Sequence, residues 1–374
     1  MRRWRFVGFV AAVACATVVA ACGSSPTPAP RASASATTVA SAVSSPSRTI
    51  APTTHTPVRS AVAATVTATT KPKLPSRPKP TAAAKVDALT GLKVVPGPVI
   101  AAKIDNTSAG YQVQFGLSKV DIVYVEQVEG GLTRLVALFH STLPEEVGPI
   151  RSVRSTDSEL LSAYGMPGLA SSGGAGGPLT TLSKTKIVDL SPDTHNDAYW
   201  RSQFGNGTHN LHVDLAKLAS TTKLTEPTPP GFTFAVGDPQ LAGAPKAASI
   251  QVTMEAGQVG FVDAGGRYLV SHHDVDYVDH DGTKIVTDNV LVQHVTDEPD
   301  GTVDTNGQPS LLSHTIGSGK FTLYRDGKAI AGTWKRTSAI GPTSFTNAAG
   351  KPVLFKPGKT WVMLAPQSAT VTAS

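Results

Sequence analysis

Cysteine is nearly absent from this chain. Its 374 residues hold two, Cys15 and Cys22, both near the start, so the remainder has no disulfide and no thiol nucleophile, which excludes a cysteine enzyme. Acidic residues are missing from residues 1–86, which carry 11 Lys plus Arg; residues 87–374 hold 22 basic and 27 acidic side chains, a net charge of −5. The basic balance of the whole chain therefore belongs to its first part and argues against a nucleic-acid-binding domain. Aromatic residues make up 6%, modest for a sugar-stacking cleft; Tyr111, Trp200 and Trp334 suit either such a cleft or the core. Past the opening run, no apolar stretch is long enough to span a bilayer. Catalytic signatures are scarce too. There is no G-x-S-x-G elbow and no H-E-x-x-H pair, and Ser183-Lys184-Thr185-Lys186 fits S-x-x-K without a following Lys-Thr-Gly.

What is present begins with an address. Arg2, Arg3 and Arg5 precede 16 uncharged, mostly apolar residues from Phe6 to Ala21, which end in Val19-Ala20-Ala21-Cys22. A basic start, a short apolar run and a small-residue cut site predict a secretory signal over residues 1–22. The segment resembles a bacterial lipoprotein signal with its lipobox, which implies diacylglyceryl attachment at Cys22, a membrane anchor and an extracytoplasmic location. Residues 23–86 follow as Ala, Ser, Thr and Pro with ten prolines and no apolar period, the composition of a disordered stalk. In the polyproline II limit of roughly 3 Å per residue, such a stalk reaches on the order of 200 Å.

Beyond the stalk the apolar pattern becomes regular. Pro98 to Ile104 reads as a buried strand ending at Asp105-Asn106. Asp121 to Val128 and Leu132 to Phe139 read as strands joined at Gly130-Gly131, a hairpin. Ser155 to Tyr164 has helical spacing after a Ser/Thr/Asp start, and Leu211 to Leu218 reads as a helix as well. The Pro- and Gly-rich stretch 231–248 is the best internal boundary. It predicts an N-terminal domain over 87–235 with α/β character and a C-terminal domain over 248–366, mainly antiparallel sheet, built of short runs parted by turns such as Asp281-Gly282 and Asp326-Gly327. Residues 367–374 are small and polar and are expected to fray.

An ordered series of blocks carries a resemblance. These are Ile104-Asp105-Asn106, then Gln114-x-Gly116-Leu117-Ser118 with Asp121-Ile122-Val123-Tyr124-x-Glu126, then Val128-Glu129-Gly130-Gly131-x-Thr133-Arg134, then Gly148-Pro149-x-Arg151-Ser152-x-Arg154. Trp200-Arg201, His209-Asn210-Leu211, Asn289 to Gln293, Gly332-x-Trp334-x-Arg336 and Pro357-Gly358-x-Thr360-Trp361 extend it. The chain resembles the YerB-like lipoprotein family, also called the domain of unknown function 3048 (DUF3048) family, over about residues 88–365. The resemblance implies an α+β fold with sheets layered against helices, and it brings no established reaction. One departure is Ser171, where the family often carries His ahead of the paired glycines.

Candidate sites follow from the polar residues at strand ends. Asp105, Asn106, Glu126, Glu129, Arg134, Arg151, Arg154 and His209 form one set, and arginine forks suit carboxylate or phosphate groups. The same charges could instead pair with one another, with Arg151 and Arg154 on Glu126, Glu129 or Asp157 pinning the hairpin to the following helix. The tract Ser172-Gly173-Gly174-Ala175-Gly176-Gly177 lacks the Walker lysine spacing and reads as a flexible loop or strand exit. His272, Asp274 and Asp276 would share a hairpin face, but no second ligand set accompanies them, so neither metal nor cofactor is expected. These features predict a lipid-anchored envelope protein that binds a cell-wall polymer or a wall-synthesis protein without turnover. The alternative is a hydrolase or transferase acting on wall glycan or stem peptide through Asp105, Glu129, Arg151 and His209, since paired carboxylates need spacing in space rather than in sequence.

Overall fold

The computed structural model describes residues 85–304 and 307–374; the expected signal peptide with Cys22, and the stalk as far as residue 84, lie outside the described residues. The fold is α+β. Its first strand, β1 (Ile100–Asp105), is buried along its whole length, as the unbroken apolar run requires. β2 (Ile122–Gln127) and β3 (Thr133–Phe139) follow as a hairpin. Gly130 and Gly131 turn it with φ of 64° and 72°, a region L side chains rarely adopt. β1 lies antiparallel to β3, and β4 (Gly168–Ala170) and β5 (Val188–Asp189) extend that edge in parallel.

The other edge is built by residues far along the chain. Thr360–Ala365 runs parallel to β2 and to Asn289–His294, and Gly317–Arg325, Lys328–Arg336 and Ser344–Asn347 complete a ten-stranded sheet. The stretches 87–235 and 248–366, expected as successive domains, thus build one sheet jointly. The expected boundary is itself bound in: Thr233–Phe234 pairs with Leu354–Phe355, and Arg325 donates to the carbonyls of Ala235 and Val236. The stretch 231–248, expected as the internal boundary, lacks long elements of its own, and the buried Arg325 satisfies backbone carbonyls there.

Both faces of the sheet are covered. Ile104, Val125, Leu135, Val292 and Met363 meet a second, antiparallel sheet through its Ile250, Val252, Phe261 and Val270. Tyr124, Val136, Leu138 and Val362 meet the helix α1 (Ser155–Leu161) and a cluster containing Trp334, Phe345 and Phe355. Two expectations need correction. Leu211–Leu218 is not one helix: Leu211–Val213 is a strand, and the helix Leu215–Thr221 starts after Asp214, whose carboxylate accepts the Lys217 N–H. The tail does not fray, because Thr370–Ala373 adds to the open edge of Ser249–Met254 in the second sheet, where small polar residues satisfy an edge strand's backbone.

One buried histidine clamps the start of the described chain. Nε2 of His140 lies 3.0 Å from Asp87, and Nδ1 lies 3.0 Å from the Pro98 carbonyl. The Asp87 hydrogen bond outweighs burial and raises the His140 pKa to about 9. A raised histidine pKa gives stability that is fully present below pH 6.5 and lost as pH rises through 9. Denaturant titrations of the parent should therefore show stability falling by on the order of 1–3 kcal/mol across that window. In His140→Gln the decline should flatten.

Candidate functional site

Three neighbouring strands set the site. Glu126 on β2 faces Arg134 on β3, and Arg134 faces Asp105 on β1, so three charged residues stand in one row across the sheet. Strand alternation puts them, with Lys103, on the face covered by α1. The same alternation turns Asn106 to the opposite face, where its amide donates to Thr133 Oγ1 at 2.7 Å and its oxygen accepts from Tyr277.

Asp105 is fully buried. Its carboxylate lies 2.5 Å from His209 Nδ1, 3.5 Å from Arg134 and 3.6 Å from Arg151, and it accepts the Thr107 N–H at 3.0 Å. Burial pushes its pKa up, but Arg134, Arg151 and these hydrogen bonds outweigh it and hold the acid below its usual range. Gly110 permits this crowding: a Cβ there would stand 2.4 Å from the Asp105 carboxyl carbon. Glu129 is similarly depressed, because Arg154 Nε and Nη2 grip one oxygen at 3.0 and 2.6 Å while Ser310 donates to the other.

Lys103 was not singled out in the sequence, where it sits as one charge in an apolar run. It is fully buried between Glu126 and Asp157, 2.6 Å from the latter. Asp157 in turn accepts the Arg154 N–H at 2.7 Å, tying this buried trio to the start of α1. Burial raises the Glu126 pKa to about 7, and Asp157 adds to the rise despite the opposing pull of Lys103. A fully buried lysine demands carboxylate partners, and that rule was the signal available from the sequence.

Above this floor opens a cleft of about 720 Å³. Glu129, Arg134, Arg151, Arg154 and His209 line it, five of the eight residues expected at a site. Asp105 lies beneath them. Glu126 does not reach the cleft, because it is fully buried against Lys103, and Asn106 faces away. Arg201 joins the wall from the strand Tyr199–Arg201, bonding the Gly207 carbonyl at 2.9 Å and Asn210 Oδ1 at 3.0 Å. Arg151 donates to the Thr208 carbonyl at 2.8 Å, so both arginines hold the loop 202–210 at the rim. Ser172, Gly174 and Ala175 of the glycine tract form another part of the wall. The expected pairing of Arg154 with Glu129 is present, whereas Arg151 has only the more distant Asp105. His272 does not join Asp274 and Asp276 at an ion: it is buried against Tyr111, and Asp276 bonds Lys284 at 2.6 Å. Among the described residues no group of three or more His, Cys, Asp and Glu could hold a metal ion.

Residues 89–228 match the N-terminal domain, and residues 250–362 the C-terminal domain, of the family described as protein of unknown function DUF3048. The chain belongs to this family. Among DUF3048 relatives, it is 26% identical over 268 residues to "Putative lipoprotein YerB" of Bacillus subtilis (strain 168), covering 68% of this chain and 77% of that protein. It also resembles the crystal structure of the YerB protein from Bacillus subtilis, with a TM-score of 0.64 at 23% identity over 77% of this chain and 99% of that one. The charged row, the hairpin turn and both cleft arginines 151 and 154 lie within the N-terminal DUF3048 domain, while Ser310 reaches the cleft from the C-terminal one.

Proposed function

We propose that this DUF3048 protein is lipid-anchored through Cys22 outside the cytosol and binds an acidic cell-envelope component, a wall polymer or an acidic surface of a wall-synthesis protein, without turning it over. One observation carries the binding reading: four arginines line the cleft against two lining carboxylates, Glu129 and Asp304. With Asp105 beneath, the site keeps an excess of positive charge inside a head whose net charge is negative. The lack of turnover is supported by the same electrostatics. Asp105 and Glu129, the carboxylates that a hydrolase would use, are held ionised by their arginine partners and make poor proton donors at neutral pH. Glu126 has the raised pKa of a general acid but is fully buried. The lipobox and the name of the Bacillus subtilis relative support the anchor.

Calorimetry of the full chain in detergent against purified wall fragments tests the reading. Binding should weaken as salt rises, and mass spectrometry should recover the fragments unchanged. Arg151→Ala removes a charged donor worth about 1.5–3 kcal/mol, which is roughly 10- to 100-fold in affinity, with the melting temperature nearly unchanged. New fragment masses, or full affinity in Arg151→Ala, would count against it.

A further inference from the structure

Resting on the binding reading above, we infer that the cleft's ligand is a phosphorylated sugar, its phosphoryl group on the Arg134 floor and its uncharged sugar ring in the adjoining pocket. Arg134 is only 4% exposed and lines the cleft, yet its Nε has no hydrogen-bond partner among the described residues. A buried guanidinium N–H without an acceptor calls for an anion. Arg151 and Arg154 lie close enough for their charges to weaken Arg134's hold on its proton, after burial itself. These three groups approach from a strand, from the segment beyond Pro149 and from the start of α1. One fork satisfies a planar carboxylate, whereas charges arriving from several directions suit the tetrahedral oxygens of a phosphoryl group. Ser152 and Ser172 also line the cleft with hydroxyls 3.4 Å apart, a long contact that leaves both able to turn to a ligand oxygen.

The neighbouring pocket, about 310 Å³, shares Ser172, Arg201 and Leu211 with the cleft. Asp193 balances Arg201 there, so no net charge is offered. Its remaining lining includes Asn196, Tyr199 and Trp200, the last 38% exposed. An amide, a carboxylate and aromatic rings recognise ring hydroxyls and the apolar face of a sugar.

Calorimetry of the full chain in detergent separates these parts, with glucose 1-phosphate, inorganic phosphate, methyl glucoside and glucuronic acid as probes. Glucose 1-phosphate should bind at least 10-fold tighter than each of the other three and should displace wall fragments. Trp200→Ala and Ser172→Ala, both at the surface, keep the test open if Arg134→Lys fails to fold. Trp200→Ala should lose 10-fold for glucose 1-phosphate with inorganic phosphate unaffected, and Ser172→Ala should weaken both. Glucuronic acid binding as tightly as the phosphate, or an unchanged Trp200→Ala, overturns the inference. Wall fragments that bind but resist displacement by glucose 1-phosphate overturn it while leaving the binding reading standing. Failure of every probe and of the fragments would remove both.

Discussion

Replacing Lys103 with Met should destabilise the protein by about 3–5 kcal/mol, the usual penalty for stripping one partner from a buried ionic group. Methionine fills a similar volume, so the loss would come from charge rather than a cavity. Without the ammonium, Glu126 and Asp157 face each other in a fully buried site with one fewer donor. Double replacement by Glu126→Gln in the Lys103→Met background should recover much of the loss, which urea denaturation of the set would measure. A Lys103→Met variant as stable as its parent would mean the trio contributes nothing to the fold. The pH dependence gives an independent check. Glu126 has a folded pKa of about 7 against a usual value of 4.5, because burial disfavours its charge. A raised carboxyl pKa means the folded state binds the proton more tightly, so stability is highest below 4.5 and falls as pH rises through 7. The depressed acids Asp105 and Glu129 act in the opposite direction below that window, and His140 acts above it. His272, His212 and His294, whose pKa values burial lowers, add stability as pH rises over part of the same range, so the check is a difference: from pH 4.5 to 7 the parent should lose stability relative to Glu126→Gln.

Asp105→Ala should be comparably damaging, again by about 3–5 kcal/mol, and should also abolish ligand capture. The removed carboxylate is the counter-charge of a buried arginine and the hydrogen-bond partner of His209. Arg134 would be left buried against Arg151 and Arg154, whose charges already disfavour its own. His209 and the loop beside it would lose their anchor on β1, so the cleft wall would loosen together with its floor. Adding Arg134→Met should restore part of the stability and none of the binding. That split separates the structural load of the pair from its part in the site. Full stability in the single variant would show that water or another acid replaces Asp105.

Much of the local architecture was readable before any contact was known. The strands around Ile100 and Ile122, the Gly130-Gly131 hairpin and the helix after Arg154 appear where periodicity and turn chemistry put them, because those signals act within a few residues. The family blocks also marked nine of the residues that line the cleft, five of them in the expected site. Other features had no local signal. Thr370–Ala373 is polar and becomes a strand only because Ser249–Met254 offers it an open edge. Leu211 to Val213 has helical-looking apolar spacing but pairs with Tyr199–Arg201 and with Val147. Arg201 entered as part of a family block and gained meaning only when the loop 202–210 placed it at the rim.

The sequence by itself determined the charge segregation, the lipobox-like run Val19-Ala20-Ala21-Cys22, the positions of the buried strands and the family. All of these depend on composition or on neighbours in the chain. Tertiary structure decided which charges meet. Glu126, Arg134 and Asp105 line up only through the register of three strands, and Lys103 finds Asp157 only because α1 folds back across them. Tertiary structure also merged the two halves into one sheet by laying Thr360–Ala365 beside β2. Such pairings are chosen by burial over the whole domain, where a charge survives only if a distant partner arrives to neutralise it.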